Sequence, residues 1–309
     1  MYNEDFFLSL ICKMYYIDKV KQNQIAEKFN VTPMQISRLL SLAEEKGIIQ
    51  YTIKMPDEIN LELSNLIKEK NNLQECFVVK NVSGLTGQNV VSSFLAKYVM
   101  QLLPADGIIG VSWGETIYQF ANSLPTNSYP DCTVIQLFGG FYLEGRQSFT
   151  PTDVVMKIHQ RLNSKFMLLL APAYVGSKEI KKQLLEDNNN KKVLELAKKA
   201  DVNILGISAF DKESTTYREG IIDDKDIEEI ASKKAIGDMS GVFFDKDGKE
   251  IIWGKSEGCT GVPLSVIRKS KNPVCVASGS RKGEILKAIA DKGFFKILVI
   301  DEELANTIV

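Results

Sequence analysis

The sequence predicts an α/β protein in two parts: a winged helix-turn-helix over residues 1–55 and a doubly wound, mostly parallel sheet over 75–309, joined by a helix within 56–74. Three observations carry this. The first fifty-five residues hold closely spaced helical segments with complete start and stop signals. From residue 75 onward, short runs rich in Val, Ile and Leu alternate with amphipathic segments, the pattern of strands covered by helices on both faces. A chain of 309 residues is also longer than one ordinary domain.

In the first part, Phe6, Leu10, Ile11, Met14 and Tyr15 recur at helical spacing, and a polar break follows at 18–21. A short helix from Gln24 to Phe29 turns Ile25, Ala26 and Phe29 inward, with Ala26 small enough for two helix backbones to approach. Asn30-Val31 makes the turn. Thr32 is then an N-cap, Pro33 takes the first helical position and Gln35 falls at the reciprocal capping-box position. This helix runs to Glu45 with Ile36, Leu39, Leu40 and Ala43 inward, and Gly47 ends it.

Helix, short turn and second helix at these lengths match DNA-reading geometry, in which the second helix enters the major groove. Its outer face carries Met34, Gln35, Ser37, Arg38 and Ser41. Gln35 suits the edge of adenine and Arg38 suits guanine or a phosphate. After Gly47, residues 48–54 alternate like a wing strand that brings Lys54 to the phosphate backbone. The expected DNA contacts are therefore Thr32, Met34, Gln35, Ser37, Arg38 and Lys54. Residues 1–55 carry seven Lys or Arg against six Asp or Glu, so each head binds DNA weakly by charge alone and works best in multiples.

Residues 61–70 read as the connecting helix, and 75–80 as the first strand of the second part. Further strands are expected at 107–112, 133–138, 166–171, 202–208, 241–245, 274–277 and 297–300. The helices between them fall near 88–103, 115–124, 152–162, 178–199, 223–233, 263–270 and 281–292, with Asn188 to Asn190 taken as a loop. In such sheets the site gathers where strand ends run into helix starts. Polar, glycine-bearing sequence occupies several of these places: Gly110-Val-Ser-Trp-Gly-Glu-Thr116, Gln136-Leu-Phe-Gly-Gly140, Gly206-Ile-Ser208, Gly237-Asp-Met-Ser-Gly241 and Ser278-Gly-Ser-Arg-Lys-Gly283. Arg281 and Lys282 at a helix start suit a phosphate, and Asp238 suits the hydroxyls of a polyol. Trp113 either faces a sugar ring or wedges its loop.

Bulk composition narrows the class. Hydrophobic residues make up 44% and charged residues 25%, an ordinary globular balance. The net charge of −1 excludes a wholly basic nucleic-acid binder, though not a DNA-reading module on a neutral sensor. No apolar run reaches the roughly 18 residues of a membrane span. Glu4 and Asp5 precede the short apolar stretch 6–12, unlike a secretory signal. Cys12, Cys76, Cys132, Cys259 and Cys275 are widely separated, as buried thiols in a reducing cytoplasm would be. His159 is the single histidine and sits in a helical segment, which leaves little for metal or triad chemistry. No cofactor, metal or membrane partner is expected.

The motifs together resemble the SorC-type family of sugar-binding transcriptional regulators. The resemblance rests on Gln24-Ile-Ala and Ser37-Arg-Leu-Leu40 in the head, then Gly110-Val-Ser-Trp-Gly114 and Gln136-Leu-Phe-Gly-Gly140. Ala200-Asp201 with Gly206, Gly237-Asp238, Phe244-Asp245 with Gly248, Ala277-Ser-Gly-Ser-Arg-Lys282 and Ile300-Asp-Glu302 with Ala305 complete it in order. It implies an effector domain related to sugar-phosphate isomerases and used as a sensor. It further implies a phosphorylated sugar as effector, double-stranded operator DNA near a sugar-catabolic operon, and a homodimer or homotetramer. Carried over by position, the effector contacts are Ser112, Gly114, Thr116, Phe138, Gly139, Arg218, Asp238 and Lys282. Two positions depart from the family: Glu115 stands where relatives often have Thr, and Phe138 where some carry Lys or Arg. The Phe removes covalent capture at that position and points to reversible binding. The competing reading is a sugar-phosphate isomerase or deaminase-like enzyme carrying a helix-turn-helix, with Asp238 or Glu115 as base. The head and the scarcity of histidine weigh against it.

Overall fold

A computed structural model describes residues 4–49, 58–126, 129–141 and 149–309. The expected wing beyond residue 49, with Lys54, lies outside the described residues. The chain divides into two compact units, Met1–Met55 and Pro56–Val309.

The first unit is built on α1 (Glu4–Cys12), α2 (Gln22–Phe29) and α3 (Pro33–Glu45). A wider helical turn, Lys13–Ile17, prolongs α1, and the N–H of Asp18 closes it on the Lys13 carbonyl at 2.9 Å. Leu8, Ile11, Met14, Ile25, Ala26, Ile36, Leu40 and Ala43 form its buried core. The inward stripe of the first helix keeps Ile11 and Met14 from the sequence expectation but not Phe6. Leu8, Ile11 and Cys12, spaced three and four apart, face the core, which turns Phe6 out to 59% exposure. Phe29 is half-buried and meets Phe7 edge-on at 5.2 Å. Asn30 ends α2 in the left-handed region, φ 54°.

In the second unit, α4 (Leu61–Lys70) packs on the sheet, and its buried Ser64 Oγ accepts the N–H of Val78 at 2.9 Å. The strands among the described residues are β1 (Glu75–Val79), β2 (Ile108–Val111), β3 (Thr133–Gln136), β4 (Lys165–Met167), β5 (Val202–Ala209), β6 (Gly237–Met239), β7 (Val242–Phe244), β8 (Pro273–Ala277) and β9 (Ile297–Asp301). The helices continue as α5 (Gly87–Leu102), α6 (Glu115–Ser123), α7 (Pro151–Leu162), α8 (Lys178–Glu186), α9 (Asn188–Lys199), α10 (Thr215–Arg218), α11 (Asp224–Ser232), α12 (Leu264–Ile267), α13 (Gly283–Ile289) and α14 (Glu302–Ile308).

Strands lie in the order β1-β9-β8-β5-β2-β3-β4, all parallel, while β6 and β7 form an antiparallel hairpin paired to the end of β5. From β2 the chain winds outward one way through β3 and β4; from β5 it winds the other way through β8 and β9. The reversal leaves a crevice at the carboxyl ends of β2 and β5, the place where such sheets take ligands. Two apolar clusters, one on each face, sandwich the sheet.

Several elements depart from the sequence reading for local reasons. β6 was not expected, and residues 241–245 belong to its hairpin rather than to a parallel strand. The helix expected over 178–199 breaks at Asp187, whose carboxylate caps α9 by accepting the N–H of Asn189 at 2.9 Å. The asparagines taken as a loop therefore open a helix. Asn190 is buried there, bonding Leu170 N and Leu184 O at 2.8 Å each. The strand expected over 166–171 shrinks to the three residues of β4, and the helix over 263–270 to the four of α12. A tight turn, Ser280–Lys282, precedes α13, and α10 and α14 add helices not foreseen.

Candidate effector site and DNA-reading face

The crevice is built from loops that the sequence forces into tight turns. β2 ends at Val111, and Ser112, Trp113 and Gly114 turn the chain into α6. Gly114 sits at φ +139°, a backbone shape that residues with a Cβ avoid. The first N–H groups of α6 have no partner within the helix and carry its positive dipole end. Ser112 Oγ and Ser240 Oγ share a 2.6 Å hydrogen bond across the crevice. Trp113 is buried, donates Nε1–H to the Phe149 carbonyl at 2.9 Å, and packs against Phe138 and Phe141. It is wall and wedge.

The opposite wall follows β8. Ser278 Oγ and the Gly279 N–H donate to the Asp301 carboxylate at 2.7 and 3.2 Å, and Gly279 at φ +92° swings the chain into the 280–282 turn. That turn delivers Lys282 to the cavity. Its ammonium makes no hydrogen bond or ion pair among the described residues, and burial pushes its pKa down from the usual lysine value. Arg281, its neighbour, is committed elsewhere: it pairs with Asp211, which holds its pKa up. The expected phosphate pair is thus one paired arginine at the rim and one unpaired lysine within.

Asp238 enters from the hairpin, opposite Ser208 of β5. Its Oδ2 accepts the Gly241 N–H at 3.0 Å, and its buried Oδ1 has no hydrogen-bond partner. Burial raises its pKa to about 6, with the Gly241 N–H and the charge of Lys282 pulling the other way. A buried carboxyl with an unused oxygen is costly unless something donates to it. An unpartnered cation and an unsatisfied carboxyl therefore share one cavity of about 280 Å³.

Of the effector contacts expected from the sequence, Ser112, Gly114, Thr116, Phe138, Arg218, Asp238 and Lys282 all line this cavity. Gly139 is not among the lining residues. A Cβ there would meet the Pro172 carbonyl and Ala173 Cα at 2.7 Å, so its glycine serves a close approach of backbones. Arg218 is half-exposed on α10, with Nη2 3.9 Å from Glu219 Oε1. The sequence reading passed over Asp211, Ser240 and Glu303 as cavity residues. Ser240 had a signal, since it lies in the glycine-bearing loop that supplied Asp238. Asp211 and Glu303 had none: each lines the cavity and is bonded to a residue distant in sequence, Arg281 or Ser280.

In the first unit, the capping box of α3 is reciprocal: Thr32 Oγ1 accepts the Gln35 N–H at 3.3 Å, and Gln35 Oε1 accepts the Thr32 N–H at 2.8 Å. Met34, Gln35, Ser37 and Arg38 are exposed on one side of α3 while Ile36 and Leu40 are buried on the other. Gln35 therefore caps its helix, and its amide oxygen is engaged.

Elsewhere, His159 lies half-buried in α7 beside Phe166, its Nδ1 bonded to the Ser164 carbonyl. All five cysteines are buried, and burial pushes Cys76, Cys132 and Cys275 up to about 12. Among the described residues no cluster of His, Cys, Asp and Glu suits a metal ion, and no helix is long and apolar enough to cross a membrane.

A helix-turn-helix unit with a polar, solvent-facing second helix, fused to an α/β unit with a polar crevice at its switch point, defines an effector-controlled transcriptional regulator. Residues 56–309 match the family described as "Putative sugar-binding domain". The chain is 27% identical over 301 residues to the deoxyribonucleoside regulator of Bacillus subtilis, covering 96% of this chain and 95% of that one. A solved DeoR family transcriptional regulator from Listeria monocytogenes matches 81% of this chain and 99% of its own, at 29% identity and a TM-score of 0.73. The full-length sorbitol operon regulator SorC from Klebsiella pneumoniae shares the fold over 100% of this chain and 99% of its own, at 22% identity and a TM-score of 0.70. The chain belongs to this sugar-binding-domain family, among the SorC-type transcriptional regulators.

Proposed function

We propose that this regulator controls a carbohydrate-catabolic operon from the cytoplasm, and that a phosphorylated sugar bound reversibly in the β2–β5 crevice sets its grip on operator DNA. The observation that carries the reading is the pairing of an unpartnered Lys282 with an unsatisfied Asp238 in one enclosed cavity. Lys282 and the N-terminus of α6 would take the phosphate, and Asp238, Ser112 and Ser240 the hydroxyls. Phe138 supplies an apolar wall and no amine, so nothing at that position forms a covalent bond to the sugar. Arg218 would close over the ligand from the rim, and Gly114 and Thr116 line the phosphate end.

On DNA, the exposed face of α3 would read the major groove through Arg38, Ser37, Met34 and Gln35, with Thr32 at the backbone. The barely positive head supports binding by a dimer or tetramer, in which several heads share one operator. The ligand alters occupancy through its different affinity for the DNA-bound and free states. In this reading the domain senses its ligand without turning it over, as the regulators among its named relatives support.

The test is a gel shift on the DNA upstream of the gene, run against a panel of sugar phosphates, with turnover assays on the same panel. The reading expects one or a few sugar phosphates to change the shift and none to be consumed. Arg38→Ala should abolish the specific shift while leaving sugar-phosphate binding intact; an unchanged shift would rule out α3 as the reader.

A further inference from the structure

Beside the effector cavity lies a second concavity, of about 680 Å³, lined by α10 and the start of α6. Glu115, Thr215 and Arg218 line both, so one ligand can reach from the first into the second.

Four carboxyls line the second concavity, those of Glu115, Glu219, Asp223 and Asp224, against the two cations of Lys212 and Arg218. Two of the carboxyls are already engaged. Asp224 accepts the Tyr217 hydroxyl at 2.7 Å and lies 3.6 Å from Lys212. Asp223 accepts the Asp226 N–H at 3.0 Å, capping α11, and lies 3.5 Å from Lys255. Glu219 is different. Its side chain is only 5% exposed, its Oε2 is buried with no hydrogen-bond partner, and its Oε1 lies 3.9 Å from Arg218 Nη2, beyond hydrogen-bond reach. Glu115 makes no hydrogen bond or ion pair among the described residues, although its charge is felt by Lys282.

A buried carboxylate without a donor is unfavourable, and a hydrogen-bonded cation offsets that best. Arg218 is the cation nearest Glu219. Closing Arg218 over a phosphorylated ligand draws it toward the phosphate and leaves Glu219 to be neutralised by the ligand itself. A hydroxyl and an ammonium both donate hydrogen bonds, but only the ammonium brings charge. Phe149, stacked on Tyr118 at 4.2 Å, adds an aromatic wall that likewise favours a cation.

We propose that the effector is an amino sugar phosphate, held by its phosphate at Lys282 and by its ammonium at Glu219 and Glu115. The proposal rests on the sugar-phosphate reading above and names the class of sugar. The two concavities then recognise the two charged ends of one zwitterion.

The test is calorimetric titration of the full chain with matched pairs that differ in one group. These are glucosamine 6-phosphate against glucose 6-phosphate, and galactosamine 6-phosphate against galactose 6-phosphate, with N-acetylglucosamine 6-phosphate as an uncharged amide. In at least one pair the amine should bind about 10–100-fold tighter than its parent, and acetylation should remove the advantage. Glu219→Gln keeps the shape of the side chain and removes its charge, and it should erase most of that ratio. Glu115→Gln should narrow the ratio as well, and it carries the same test if the Glu219 variant does not fold. Amines that bind no tighter than their parents, or binding confined to neutral sugar phosphates, overturn the proposal and leave the sugar-phosphate reading standing. So does a preference for the amine that survives both substitutions. If no sugar phosphate binds, aminated or neutral, the sugar-phosphate reading falls and this proposal falls with it.

Discussion

Asp238 is an expensive residue to keep. Its carboxyl is buried, half-satisfied and held at a pKa of about 6, against roughly 4 for a carboxyl in water. The folded state thus binds this proton more tightly than the unfolded state. Its contribution to stability falls as pH rises from about 4 to 6, and the cost is complete above that, at roughly 2–3 kcal/mol. Asp238→Asn keeps an oxygen for the Gly241 N–H and removes the ionisation. Thermal unfolding across pH should find this variant more stable than wild type at pH 7.5, with the difference vanishing near pH 4, while its affinity for the sugar phosphate falls. Lys282 is the second such residue. Lys282→Ala should weaken a sugar phosphate by about 10–100-fold, the worth of a charged hydrogen bond, and leave ligand-free DNA binding intact. Calorimetric titration reads the first effect and a gel shift the second. Both residues were legible in the sequence by their chemistry at strand ends and helix starts. Their isolation was not legible, nor was the diversion of Arg281 to Asp211, because a partner 70 residues away leaves no mark in a sequence.

At the scale of elements, capping was the readable signal. Thr32-Pro33 with Gln35 predicted the start of α3, and the reciprocal bonds are present. Thr32→Ala should cost about 1 kcal/mol of stability in the N-terminal unit. It should also reduce operator affinity by loosening the first turn of the reading helix; thermal unfolding and a gel shift measure the two. Capping also explains the misreading of α8 and α9. Polar residues fill 186–192 between the two apolar groups, and within them the Asp187 side chain captures a backbone N–H and restarts the helix. The β6–β7 hairpin escaped because Gly237-Asp-Met is too short and too polar to read as a strand. It becomes one by pairing with Ile207, Ser208 and Ala209 of β5.

For the molecule as a whole, the division after residue 55 has a direct consequence. A fragment of residues 56–309 holds both faces of the sheet, both apolar clusters and every residue of the cavity. It should fold alone, bind the sugar phosphate about as tightly as the full chain, and give no specific gel shift, as calorimetry and the same DNA assay would establish. The alternation of strand and helix in the sequence was enough to predict a doubly wound sheet with its site at the strand ends, because periodicity and caps are written locally. Local pattern also told which face of α3 is wet. The tertiary structure alone decided the strand order, and hence that β2 and β5 flank the switch point. It decided that Gly139 serves packing while Ser240 lines the site, and that Lys282 and Asp238 meet in one cavity. These depend on which distant segments pair, and pairing is settled by the whole core at once rather than by any stretch of it.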